Sequence, residues 1–165
     1  MTLANALLII TATTTALTAG LFYSWACSVT IGLGRLPNAE YIAAMQSINR
    51  AILNPVFFSC FLGAAILLPI CTYVQYGQSA SPRFWLLLAA TATYLIGVFG
   101  VTIFGNVPLN EALDAFQLQS ASTQEMITQR AKFEIPWNNL NLVRTVASVV
   151  SIVLVIVACI SGSDT

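Results

Sequence analysis

The sequence predicts an all-α integral membrane protein, a bundle of four transmembrane helices in up-down-up-down order. Hydrophobic residues make up 58% of the 165 residues and charged residues only 7%, whereas a soluble domain carries about a quarter charged residues. Apolar segments also recur at lengths close to the roughly 20 residues that a helix needs to cross hydrocarbon. We predict a single membrane domain over residues 1–165 with spans at about 3–31, 55–76, 83–107 and 137–160.

The first span and the loop after it differ sharply in polarity. Residues 1–34 contain no charged side chain, and the stretch is too long, and lacks the basic start, for a cleaved secretory signal. We therefore predict a retained span. In residues 38–54 apolar residues recur at helical spacing with polar ones between them, which predicts a short amphipathic helix at the membrane surface.

The second and third spans contain residues that shape helix packing. Pro55 starts the second span, and Pro69 is expected to kink it. In the third span Gly97, Gly100 and Gly105 are expected to let another helix approach closely.

The third loop holds most of the remaining charge and leads into the last span. A capping box formed by residues 122–125 predicts a short amphipathic helix from Thr123. Pro136 suits the first turn of a separate last helix that extends to about Ile160. Only residues 145–160 of that helix are both free of charge and strongly apolar, which is short for a full span, so we expect Arg144 at or slightly inside the membrane boundary.

Basic residues predict the orientation in the membrane. The connection between the second and third spans carries one basic side chain, Arg83. The opposite side carries the other five, which are Arg35, Arg50, Arg130, Lys132 and Arg144. The positive-inside rule then places loops 34–54 and 108–136 in the cytoplasm and the termini outside.

Composition excludes several classes of function. The six basic and six acidic residues cancel, so no basic patch suits nucleic acid. Histidine, the commonest metal ligand, is absent. The four cysteines lie singly in apolar stretches without a CxxC pair, which favours plain packing over a redox role. We predict no metal and no cofactor; the expected partners are the lipid bilayer, a small aromatic or lipophilic anionic ligand, and further copies of the chain.

Polar residues concentrate at four places that this topology brings to one face: the end of span one, the start of span two, the end of span three and the start of span four. These residues are Arg35, Arg50, Asn54, Asn106, Asn110, Trp137, Asn138, Asn141 and Arg144. Several are four apart, which puts them on one helix face. They predict a cavity with guanidinium and carboxamide donors beside an indole, suited to a flat, oxygen-rich or anionic molecule.

A plainer interpretation stays open for each of these residues. Arginine, asparagine and tryptophan also serve as interfacial anchors and helix caps. Arg50 or Arg144 could simply pair with Glu40, Glu111 or Asp114 and fix the loops.

Three stretches resemble the anthrone oxygenase family, small four-helix membrane proteins with many bacterial members. The stretches are residues 19–24 continuing to 32–37, residues 45–55, and residues 105–110 with the later Trp137, Asn141 and Arg144. The resemblance implies oxidation of a fused-ring anthrone to an anthraquinone by oxygen, without metal or flavin. It also favours the bacterial inner membrane as the location.

The resemblance also implies roles for the polar residues. Arg50 and Arg144 would stabilise the oxyanion, and Glu111, or alternatively Asp114, would act as the general base. Trp137 would stack on the rings. The remaining substrate-binding residues would be Arg35, Asn54, Asn106, Asn110 and Asn141.

Two other classes of function stay open. The same cavity could bind or transport a lipophilic anion without chemistry, although the spans contain no acidic residue for a proton relay. Alternatively the chain could be an accessory subunit of a membrane complex, with the glycines of the third span packed against a partner.

Overall fold

In the computed structural model, which describes residues 2–78 and 81–161, the chain is helical without strands. Four helices in these ranges are long and apolar enough to cross a membrane. The helices of the fold are α1 (Leu3–Leu33), α2 (Asn38–Ala51), α3 (Pro55–Val74), α4 (Pro82–Asp114) and α5 (Thr123–Ile160).

Side-chain caps fix where the long helices begin. The hydroxyl of Thr2 accepts a hydrogen bond from the first turn of α1, and that of Ser81 does the same for α4. Asn54 caps α3, with Pro55 at the first helical position. Ser122 and Glu125 cap α5 reciprocally, so the capping box predicted from the sequence is present. Each cap satisfies backbone N–H groups that have no partner within the helix.

α5 is one continuous helix rather than a loop helix followed by a span. It contains both the predicted start near Thr123 and Pro136. Because proline lacks an N–H, Pro136 removes one helical hydrogen bond, but here it does not end the helix. The charged first half and the apolar second half of α5 therefore belong to a single continuous helix.

α5 packs against three of the other helices, α1, α2 and α4, while α3 lies against α1 and α4. Two of the three glycines singled out in the third span permit this packing: a Cβ on Gly97 would lie 2.6 Å from that of Ala147, and one on Gly105 would lie 2.9 Å from Leu140. At Gly100 the nearest atom is in α4 itself. The close approach is thus confirmed for Gly97 and Gly105, against α5 of the same chain.

α2 covers one end of the bundle through a small second core. Its buried residues are Tyr41, Ile42, Met45, Leu113, Phe133 and Trp137. Gln46 fastens α2 to the end of α4 by donating to the carbonyls of Leu113 and Phe116.

Arg130 fixes the turn between α1 and α2. It pairs with Glu134 at 2.6 Å and donates to the carbonyls of Leu36 and Gly34. Its guanidinium also lies 4.4 Å from the centre of the Tyr41 ring. Burial, with a smaller contribution from the Glu134 carboxylate, raises the pKa of Tyr41, so this phenol stays neutral.

α1 departs from regular α-helix near its C-terminal end, and α4 does so from its middle onward. Residues Trp25–Val29, Leu95–Gly100 and Thr102–Asn106 form π-helical turns. A π turn adds one residue to a helical turn and so rotates the side chains that follow; such turns are frequent at functional sites. No feature of the sequence predicted them.

Candidate functional site

A cavity of about 130 Å³ lies beneath α2, enclosed by α1, α3, α4 and α5. Most of its wall is apolar, and six of its side chains are aromatic. These are Phe22, Trp25, Phe57, Phe58, Phe61 and Trp137. Its polar lining consists of Asn49, Thr102, Asn110 and Arg144. An apolar pocket with a few convergent polar groups is the usual form of a small-molecule site.

Arg144 is the charged group of this cavity. Only 6% of its surface is exposed. Its guanidinium donates to Asn141 Oδ1 at 2.9 Å and to Thr102 Oγ1 at 3.4 Å. It also lies 4.5 Å from the ring centre of Phe22 and 5.3 Å from that of Trp137, both within cation–π range.

The charge of Arg144 has no carboxylate partner. Among residues 2–78 and 81–161, the ion pairs of the structure are Arg50 with Asp114 and Arg130 with Glu134. The Nε atom of Arg144 is buried without any hydrogen-bond partner. A buried cation held by neutral oxygens and aromatic faces is poorly compensated, and a bound anion would complete its environment.

Amide side chains surround the arginine and are only partly satisfied. The indole N–H of Trp137 donates to Asn110 Oδ1 at 2.8 Å. Asn106 donates a long 3.5 Å bond to the carbonyl of Trp137, while its own Oδ1 has no partner. Asn49 Nδ2 is likewise buried and unpartnered. Buried polar atoms are normally paired, so this concentration is unusual.

The cavity opens sideways towards the outer surface of the bundle. Of its lining residues, Leu53, Phe58 and Ile103 expose 65%, 38% and 40% of their surface. All three are apolar and belong to α3, α4 or the segment just before α3. Phe58 and Ile103 lie on helices long and apolar enough to span a membrane, so their side of the mouth would face hydrocarbon in a bilayer.

The structure brings together five of the residues predicted for the site. Asn110, Trp137 and Arg144 line the cavity. Asn141 and Asn106 lie directly behind, in hydrogen-bond contact with Arg144 and Trp137 respectively.

Arg50 and Glu111 lie outside the cavity. Arg50 binds Asp114 at 2.6 Å, and its side chain is 65% exposed. Arg50 and Glu111 line a surface depression of about 310 Å³ next to the cavity. The depression and the cavity share Asn49, Leu53 and Asn110, so the two spaces adjoin.

Asn54 and Arg35 are placed elsewhere. The side chain of Asn54 accepts a hydrogen bond from the N–H of Phe57 and donates to the carbonyl of Ala51, which makes it the cap of α3. Arg35 is exposed on the turn after α1 and does not line the cavity.

Several lining residues were not predicted as site residues. Asn49 had a usable signal, because it stands four residues after Met45 and eight after Tyr41, on the buried stripe of α2 where an apolar residue is expected. No sequence signal marked Phe22, Trp25 or Thr102 as site residues, since aromatic and hydroxyl side chains are common along membrane helices. Trp25 and Thr102 each begin a π turn, and Phe22 lies in the regular helix before one.

The described residues include no cluster of three or more carboxylate or thiol side chains that could hold a metal ion. The donor set of the cavity, with amides, a hydroxyl and a guanidinium, suits an organic anion or carbonyl compound better than a cation.

Comparison with known proteins adds one finding. The sequence profile of the anthrone oxygenase family matches residues 44–154, more than half of the chain. This range contains α3, α4, most of α2 and α5, and every polar residue that lines the cavity. Comparison with curated proteins and with solved structures gave no significant match. The chain belongs to the anthrone oxygenase family.

Proposed function

We propose that this protein binds a flat aromatic molecule with an ionisable oxygen in the cavity beneath α2 and oxidises it with dioxygen, as the family description implies. The observation that carries the proposal is Arg144, a buried cation without a carboxylate partner in the described part of the chain. It lies between aromatic rings, where a planar ligand would stack.

The role of Arg144 is to favour the anionic form of the substrate. An anthrone carries an acidic methylene group next to its aromatic rings, and loss of a proton gives an anion delocalised onto the ketone oxygen. A guanidinium fixed in a low-dielectric cavity stabilises such a developing oxyanion strongly. Asn141 and Thr102 hold the guanidinium in place.

Oxidation then needs only dioxygen as the second reactant. The delocalised anion gives electrons directly to dioxygen, and a carbon–oxygen bond forms at the former methylene carbon. This carbon loses both hydrogens and becomes a carbonyl; the second oxygen atom leaves as water. Both oxygen atoms are thereby fully reduced, so no further reductant is required.

We assign the role of proton acceptor to Glu111. No carboxylate is found among the described residues that line the cavity, and Glu111 lies in the adjoining depression. Arg50, paired with Asp114, has a positioning role there, because it ties α2 to the end of α4. Asn106, Asn110, Asn141 and Trp137 orient the ligand or the arginine.

The proposed setting is the bacterial inner membrane, with α1, α3, α4 and α5 crossing in alternate directions. Loops 34–54 and 108–136 would face the cytoplasm, as the basic residues predict. Labelling of single introduced cysteines in intact cells tests this: a cysteine in loop 108–136 should resist an impermeant reagent. Labelling of that loop from outside would reverse the orientation.

Oxygen consumption tests the activity. Purified protein in lipid nanodiscs is expected to accelerate oxygen uptake with an anthrone, yielding one water and one anthraquinone per dioxygen. Arg144→Gln should abolish the acceleration, and Phe104→Leu, an exposed change outside the cavity wall, should preserve it. Equal uptake with empty nanodiscs would refute catalysis.

A second candidate is binding or transport of a lipophilic anion without chemistry. It is favoured by one observation, that the described cavity lining contains no carboxylate to accept a proton. Saturable binding of an anthrone without product formation would support this alternative.

A further inference from the structure

Two donors in the cavity wall have no acceptor. Asn49 is 9% exposed and Arg144 is 6% exposed, and both line the cavity. Asn49 Nδ2 and Arg144 Nε are buried without a hydrogen-bond partner. Since unpaired buried donors are costly, the enclosed space is suited to a group that offers oxygen lone pairs to both sides.

The enclosed space is small. At about 130 Å³ it is close to the roughly 150 Å³ of an apolar cavity that holds benzene. One aromatic ring with its oxygen therefore fills it, and a larger molecule has to extend through the mouth.

The exposed side chains of the mouth offer hydrocarbon-like contacts between α3 and α4, and Leu53 also lines the adjoining depression. Leu53, Phe58 and Ile103 are its exposed residues, and each is apolar. The two donors without an acceptor are buried, Asn49 on α2 and Arg144 on α5. A ligand that matches this gradient has a polar end inside and an apolar remainder outside.

We infer that the ligand is an amphiphilic phenol or enol taken from the bilayer. Its oxygen-bearing ring lies between Arg144 and Asn49, and its remaining rings or alkyl chain leave between α3 and α4 beside Ile103. The inference rests on the proposed function for the choice of cavity, but it concerns binding and holds whether or not oxidation follows.

The probes are two ortho-nitrophenols, one with a para-methyl and one with a para-octyl group, added to the full-length protein in nanodiscs. The nitrophenolate form absorbs visible light, so absorbance reports the charge state of the bound probe. Affinities are corrected for partition into empty nanodiscs. Both probes are expected to bind as phenolates.

The inner end is tested with Arg144→Gln and Asn49→Leu. Each variant should weaken both probes about tenfold or more, and Arg144→Gln should also raise the apparent pKa of the bound phenol. Circular dichroism and gel filtration establish that the variants are folded. Unchanged affinity in both folded variants would overturn the placement of the oxygen.

The mouth is tested with the variant Ile103→Trp. This test is independent of the results for Arg144→Gln and Asn49→Leu. The larger side chain should weaken the octyl probe about tenfold and the methyl probe less than twofold, because only the octyl chain passes residue 103. Phe104→Trp is the matched control: Phe104 is adjacent and 85% exposed but does not line the cavity. Equal loss for both probes, or equal effects of the two variants, would overturn the proposed exit.

The outcome is separable from that of the oxygenase proposal. Selective loss of the octyl probe with no oxygen uptake from any anthrone would support the ligand class and refute catalysis. Oxygen uptake together with an equal loss of affinity for the methyl and octyl probes in Ile103→Trp would support catalysis and refute the ligand class.

Discussion

Two regions of the bundle bury polar side chains in different ways. In the region away from α2, the buried polar groups are mainly hydroxyls, and every buried serine and threonine hydroxyl in residues 2–78 and 81–161 has a partner. The half-buried Arg83 is the exception there, because its Nε atom has no partner. In the region beneath α2 the buried polar groups include amides and a guanidinium, and three of these side chains, Asn49, Asn106 and Arg144, keep an unpartnered atom.

The difference follows from side-chain chemistry. A threonine hydroxyl bonds to the carbonyl four residues earlier in its own helix, as Thr11 and Thr15 do, so it is satisfied wherever the helix goes. A carboxamide or guanidinium has several donors and cannot satisfy them in this way. Such groups require a partner from another helix or a ligand, which is why the region beneath α2 is the candidate site.

The largest expected effect concerns Arg144. Arg144→Leu should reduce kcat/KM for anthrone oxidation by at least ~100-fold, about 3 kcal/mol of transition-state stabilisation. The free energy of unfolding in detergent micelles should stay unchanged or rise, because an uncompensated buried charge is replaced by an apolar side chain.

Arg130 provides the contrasting case. Arg130→Leu should lower the free energy of unfolding by about 2–3 kcal/mol, because Glu134 and the carbonyls of Gly34 and Leu36 lose a charged donor. If Arg144→Leu destabilised the protein as much as Arg130→Leu, the arginine in the cavity would be structural.

Helix packing should give the next largest effect. Gly97→Ala places a Cβ 2.6 Å from that of Ala147, so α4 and α5 must separate, and the free energy of unfolding should fall by about 1–3 kcal/mol. Gly20→Ala is the control, since nothing lies within 4 Å of its added Cβ; its effect should stay within about 0.5 kcal/mol. Equal effects would show that α4 and α5 are not closely packed at Gly97.

A smaller effect is expected at Trp137. Trp137→Phe keeps an aromatic face beside Arg144 but removes the N–H that binds Asn110. Leaving Asn110 Oδ1 without this donor should cost about 1–2 kcal/mol in the free energy of unfolding. Phenolate binding, measured by nitrophenolate absorbance, should fall less than in Arg144→Gln. A greater loss would make the indole, and not the guanidinium, the main binding group.

The smallest effect is expected for the hydroxyl pair of the other region. Thr72→Val removes a 2.8 Å hydrogen bond to Thr91 between α3 and α4. The free energy of unfolding should fall by about 1 kcal/mol, while oxygen uptake and phenolate binding stay at the parent level. A change in binding would show that the two regions are coupled.

The sequence by itself determined the four apolar helices and the family. Hydropathy and helix length suffice for the helices because a bilayer requires a long uncharged segment for each crossing. The capping box at Ser122 and Glu125 was also predictable, since it depends on residues three apart in one chain segment. The order of the helices placed the polar residues near one end, where five of the predicted site residues meet.

Only the tertiary structure decided which arginine is buried. Arg50 and Arg144 are equivalent by charge and by position near a span, yet Arg50 pairs with Asp114 on the surface and Arg144 lies in the cavity. That choice depends on how α2 and α5 are rotated about their axes where they pack against the other helices. Helix rotation is set by packing against neighbouring helices, and a chain's local pattern does not contain those contacts.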